Sequence, residues 1–202
     1  ANDFGYSKHP DETLRIWDKE KVLSDVVRVI RTFRPDVIIN RFDHRTPGST
    51  HGHHTSSAIL STEAFDLAGD PSAYSDQLEN LEPWSPSRLF FNTSWWFYGS
   101  PEKFEEADKS RLVPMDIGVY YPERGLSNNE IASMASSQHR CQGFGRLTVR
   151  GSELEYVELL KGDMPADADL FDGVETSWKR IEGGAAIGAI LEPLESSFNF
   201  AD

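Results

Sequence analysis

The spacing of apolar and polar positions predicts a chain that alternates helices with strands. Val22, Val26, Val29, Ile30 and Phe33 share one helical face, widened by Leu23 and Val27, while Lys21, Asp25, Arg28 and Arg31 face away. Asp18 is the N-cap candidate for that helix, and residues 1–17 read as a lead-in loop. Pro35 stops the helix, because the residue before a proline disfavours the α region. Val37-Ile38-Ile39 is then a β-branched run expected to form a buried strand. A helix followed by a buried strand is the order found in parallel α/β sheets.

Further along, Ala58, Ile59, Ala64, Phe65 and Leu67 predict a helix from about Thr55, closed by Gly69-Asp70-Pro71. Arg88 to Thr93 is a second strand, running into Ser94-Trp95-Trp96-Phe97-Tyr98. A short exposed helix is expected within 101–109 and an extended segment within 115–121. Ser127-Asn128-Asn129-Glu130 has the spacing of a capping box, opening a helix that should end near Gly143. Residues 153–160 alternate as a strand, and Leu170 to Ile181 has the pattern of an amphipathic helix ended by Gly183-Gly184. Residues 185–202 begin another helical segment, interrupted by Pro193. There is no internal repeat.

At 202 residues the chain has the length of one domain. Its formal charge of −13 argues against a nucleic-acid partner and against an anionic membrane surface. No apolar run approaches the roughly 18 residues of a membrane span. The single cysteine, Cys141, excludes an internal disulfide and reads as a small buried apolar residue rather than a nucleophile. The absence of an initiator Met and of a signal segment suggests a truncated N-terminus, and the compartment is not encoded in these residues.

Chemistry concentrates in residues 36–54, where four of the six histidines, His44, His51, His53 and His54, follow the first strand. His51-x-x-His54 can bring two imidazoles near one point, as a zinc site needs, and a polar surface loop rich in histidine is the competing reading. The sequence Arg-Pro-Asp-Val-Ile-Ile, a polar loop, His51-Gly52-His53-His54 and a helix of small residues resembles the second conserved segment of the PIG-L/LmbE-like deacetylases. Gln138-His139-Arg140-Cys141-Gln142 resembles that family's helical His-x-Ser-Gln, with cysteine in place of serine. The resemblance spans most of residues 18–180.

That resemblance implies a Rossmann-like, mostly parallel sheet flanked by helices. It implies removal of the acetyl group from an N-acetylated sugar or glycoconjugate by a water activated on zinc or another divalent metal. His54 would be a metal ligand and His51 the group that stabilises the tetrahedral intermediate. A neutral ligand histidine and a second histidine beside the developing charge suit those roles. The family's first motif, a strand ending in His-x-Asp-Asp that supplies two more ligands and the general base, has no counterpart in this chain. His9-Pro10-Asp11-Glu12 does not follow a strand and reads as a turn or a helix start with Pro10 near the first position. The chain therefore reads as a single partial domain lacking the fold's first strand, holding its metal weakly and catalytically incomplete alone. An exposed parallel edge should mark the missing strand.

Several residues could extend the site. Arg41, at the end of the first strand, could point toward substrate or pair on the surface. Asn92 could bond a hydroxyl, and Asn92-Thr93-Ser94 also matches a glycosylation acceptor. Trp95 could stack on a sugar or bury in a core. Asp43 and His53 could support the site histidines from behind, although Asp43 equally suits an Asx-turn. The rival functions are a non-catalytic carbohydrate-binding protein and a structural fragment.

Overall fold

The computed structural model describes residues 4–145 and 150–197 and forms two compact units, Ala1–Met164 and Pro165–Asp202. The first is a mixed α/β unit. Its helices and strands in chain order are α1 (Pro10–Trp17), α2 (Lys19–Phe33), β1 (Val37–Asn40), α3 (Gly52–Leu67), β2 (Arg88–Thr93), α4 (Trp95–Tyr98), α5 (Pro101–Glu106), β3 (Leu112–Asp116), β4 (Tyr120–Tyr121), β5 (Leu126–Ser127), α6 (Asn128–Ser136) and β6 (Leu154–Lys161). β4 and β5 form a small hairpin sheet of their own.

The main sheet has the order β1-β2-β6-β3. Among the described residues only β1 and β2 pair in parallel, joined through α3; β6 runs antiparallel to both β2 and β3. The expected mostly parallel sheet is thus a mixed one. The late strand β6 inserts between β2 and β3, an insertion that residue alternation cannot reveal. Pro114 lies in β3 at the far edge, where its missing N–H costs no central pairing.

Leu23, Val27 and Ile30 of α2 pack with Leu60 and Ala64 of α3 to form the core, and Ile38 of β1 joins it from the sheet. The buried side of α2 is therefore rotated from the expected stripe. Val29 and Phe33 are 62% and 78% exposed, and Ile39, in the strand expected to be buried, is 48% exposed. β1 is the sheet's outer strand, so one of its two edges has no partner among the described residues.

Arg31, expected to face solvent, is 1% exposed. Its Nε donates to the carbonyl of Ala68, and Nη2 donates to the carbonyls of Leu67, Asp70 and Ala73. Nη1 donates to the Tyr74 carbonyl and to Oε1 of Gln77, whose amide donates in turn to Ser24 on α2. The guanidinium thus collects the carbonyls at the C-terminal end of α3, where helix orphan acceptors and the negative end of the dipole favour a cation.

Local signals fare unevenly. The lead-in contains a helix: Pro10 is at its first turn and the His9 imidazole accepts from the Asp11 amide. Asp18 has a left-handed backbone that ends α1, and it does not cap α2 through its side chain; its carboxylate pairs with Lys21. The Ser127–Glu130 capping box is present in both directions, but α6 ends at Ser136, well before Gly143. The antiparallel strand at 154–161 agrees with the alternation.

In the second unit, the helix expected over Leu170 to Ile181 is replaced by turns and a short 3-10 segment, Trp178–Arg180. Gly173 with φ 75° and the cap that Ser177 gives the Lys179 amide divide that stretch. Helix α7 (Gly184–Ser197) follows and carries Pro193 inside it rather than stopping there. Among the described residues no helix is long and apolar enough to cross a membrane.

Replacing Arg31 by Met should leave its carbonyl acceptors buried and unpaired. A loss of about 3 kcal/mol or more in unfolding free energy by urea denaturation is expected. A loss below about 1 kcal/mol would show that the guanidinium does not organise this end of α3.

Candidate functional site

The candidate site lies beyond the carboxyl ends of the parallel pair, the usual location of sites in α/β sheets. β1 ends at Asn40, and residues 41–51 lead from it to the N-terminus of α3. His51 is the N-cap residue of α3 in an extended conformation, and its side chain makes no capping bond. One turn later, His54 returns to the same side, so the two imidazoles stack with centroids 4.8 Å apart and planes 10° apart.

Two aromatic rings extend this stack. Phe42 lies flat on the other face of His54 at 3.9 Å and 9°. Tyr6 meets His51 edge-on at 4.7 Å and 82°. The segment carrying Tyr6 is tied to α3, because the Gly52 amide donates to the Ser7 carbonyl at 2.9 Å. Only glycine permits this approach: a Cβ at position 52 would lie 2.5 Å from the His9 carbonyl oxygen.

Burial holds the His54 imidazole below the ordinary histidine value, and charge on His51 and His53 pushes it the same way. The neutral form that a metal ligand needs is therefore favoured near neutral pH. His53 points elsewhere, stacked on Phe4 at 4.7 Å and edge-on to Trp17 at 5.4 Å. It serves the packing of α3 against the lead-in segment and α1, and its ring contacts are not with the other two histidines.

Asp43 is buried and its carboxylate is taken up by Arg45. It accepts from the Arg45 backbone N–H, which is the Asx-turn, and from Nε and Nη2 of the same residue. Arg45 reaches on to Glu158 in β6 at 2.8 and 2.6 Å. The triad Asp43–Arg45–Glu158 pins the histidine loop to the sheet, and the nearest histidine to Asp43 is His44, with Nδ1 at 3.6 Å. Burial lowers the His44 value, against the pull of Asp43. A recess of about 280 Å³ beside this clamp is lined by His44, Arg45, Thr62, Arg111, Glu158 and Lys161.

The remaining candidates gather at the same end of the sheet. Arg41 donates Nη1 to the Asn92 carbonyl at 3.4 Å and lies over the Phe42 ring. The Asn92 amide group is committed to Glu155 at 2.9 Å and to the Tyr156 carbonyl at 3.2 Å, so its donors are not free for a hydroxyl. Trp95 and Trp96 on the short helix α4 are 50% and 56% exposed, while Phe97 between them and Tyr98 turns inward against Phe91. The motif around His139 follows the end of α6 in turns rather than lying on a helix, and Cys141, expected to be buried, is exposed.

Among the described residues, no group of three or more His, Cys, Asp or Glu side chains could hold a metal ion. His54 suits one coordination position, and the described residues do not complete a zinc set around it. His51 and His54 meet through their helical spacing, whereas Phe42 and Tyr6 reach them only through tertiary approach. No protein-family model matches the chain, and no curated protein matches it.

The lowered histidines set the sign of a pH effect. Between their folded values and about 6.5, the unfolded chain binds more protons. Stability should therefore fall as pH drops through that window and level off below it. NMR titration should find His54 ionising below 6.5, and a value above 6.5 would contradict the burial of its ring.

Proposed function

We propose that residues 1–202 form part of a metal-dependent N-deacetylase domain of the PIG-L/LmbE-like kind, acting on an N-acetylated sugar or related amide. His54 is one metal ligand, and His51 stabilises the charge that develops on the acetyl oxygen. The further ligands and the general base come from outside these residues. The observation that carries the reading is the His51–His54 pair at the start of α3, directly beyond the carboxyl end of a parallel strand.

The free edge of β1 supports the same reading. Val29 and Phe33 form a second apolar stripe on α2 outside its contact with α3, and Ile39 is exposed on the edge strand itself. α2 packs on α3, the crossover helix from β1 to β2. Because crossovers are right-handed, a strand leading into α2 on that face belongs on the outer side of β1. The β1–α3–β2 unit is on this reading a piece of a Rossmann-like sheet, with the edge open to a parallel strand that carries the missing ligands.

When bound, a zinc ion would supply a nucleophilic water near neutral pH. This chain's own share is narrower: it presents at His54 an imidazole whose proton affinity burial lowers, a second imidazole beside it at His51, and the Phe42 ring stacked on His54. Titrated with zinc, the 202-residue protein should bind weakly, and His54→Ala should abolish that binding. Acetate release from N-acetylglucosamine should be negligible. Turnover at about 1 s⁻¹ or faster by this chain alone would show that the ligand set is wrong.

A second reading, sugar binding without hydrolysis, is favoured by the solvent-facing indoles of Trp95 and Trp96. Trp95→Ala should then weaken N-acetylglucosamine binding by about 1 kcal/mol or more, measured by calorimetry, and leave zinc content unchanged. Unchanged sugar affinity would remove this reading.

A further inference from the structure

Histidines that hold metals are usually oriented by a hydrogen bond from the second ring nitrogen to a carboxylate, a carbonyl or water. Here, among the described residues, no hydrogen bond reaches the ring nitrogens of His51 or His54, and the nearby buried carboxylate of Asp43 is already occupied by Arg45. Something else must hold the rings. The geometry points to packing: we propose that Phe42 and Tyr6 are positioning residues, closing a four-ring column Tyr6–His51–His54–Phe42 that fixes both imidazole planes before any ion or substrate arrives. This rests on the deacetylase reading for its purpose, but not for its geometry.

Both ends of the column stand on anchored backbone. Phe42 follows directly on Arg41, which bonds the Asn92 carbonyl of β2, and precedes Asp43, which is clamped through Arg45 to Glu158 of β6. Tyr6 precedes Ser7, whose carbonyl accepts from Gly52 and whose hydroxyl donates to the His9 carbonyl. Between these posts the rings meet at 4.7, 4.8 and 3.9 Å. The flat contacts are those that matter for plane: His54 is held parallel to Phe42 within 9° and to His51 within 10°. A productive ligand must be held within about 10–20° of its working orientation, and a ring face on each side meets that requirement. An aliphatic side chain at position 42 would fill space but impose no plane.

The test separates the column from the metal. Without metal, the His54 ring protons should show an upfield ring-current shift by NMR that is lost in Phe42→Leu and kept in Phe42→Tyr. With zinc chloride alone as the probe, Phe42→Leu should weaken binding about tenfold, and Phe42→Tyr should restore it to within about twofold of the original protein. Tyr6→Leu, at a residue 61% exposed, gives a second variant with little risk to folding and should disturb the His51 resonances in the same way. Ordinary His54 shifts in the unaltered protein, or equal zinc affinity in Phe42→Leu, would overturn the proposal. Zinc binding absent from every form, with the ring-current shifts intact, would overturn the metal reading while leaving the column standing.

Discussion

Arg31 holds the first unit together at a point where nothing else could. The carbonyls of the last turn of α3 and of the chain just beyond it converge on one place, and each would be costly to bury unpaired. One guanidinium from α2 satisfies five of these carbonyls and a glutamine side chain. None of these acceptors is a carboxylate. The favourable field comes from the helix end and from aligned peptide dipoles, which suits the fixed fork of arginine better than the point charge of lysine. Arg31 of α2 thus holds the C-terminal end of α3, whose opposite end carries His51 and His54.

The histidine end has its own restraint, of a different kind. Arg45 bridges Asp43, in the loop, and Glu158, in β6, and so attaches an otherwise irregular segment to the middle of the sheet. Arg45 is 45% exposed on its side chain, so solvent screens the pair and its worth lies in geometry more than in energy. Between the arginine at one end of α3 and the arginine beside the other, the helix and the loop are fixed in register with β1 and β2. The aromatic contacts at His51 and His54 are possible because both posts are already in place.

What the residues disclose in advance follows from which forces are local. The Ser127–Glu130 box and the strand at Arg88 to Thr93 depend on neighbours in sequence, and both are readable. The position of His51 and His54 is readable for the same reason, since an N-cap residue and one three residues later share a side. Arg31 is not readable, because a charged residue at that spacing normally faces water and only the carbonyl cluster of another helix draws it inside. The insertion of β6 between β2 and β3 is equally invisible to alternation. Asn92 looked free in sequence, yet that insertion brings Glu155 and Tyr156 against its amide. Phe42 and Tyr6 join the site only after segments distant in sequence have packed.

Two features of the first unit are incomplete by separate physical criteria. β1 offers an uncharged Val-Ile-Ile-Asn edge with no proline, bulge or lysine, the kind of edge that proteins ordinarily cover. Burial lowers the proton affinity of His54, which stacks on Phe42, and among the described residues too few neighbours stand by to enclose a metal. Explained separately, each is a cost without a return: an apolar stripe left wet, and an imidazole oriented toward nothing. On the proposed reading one element answers both. A strand parallel to β1 on its free edge would lay alternate side chains against Val29 and Phe33 on one face and Ile39 on the other. Parallel strands end on the same side, so its last residues would arrive beside Phe42 and His54. The apolar edge would supply the docking energy, and the end of the docked strand would supply the ligands, so that folding and site assembly become the same event.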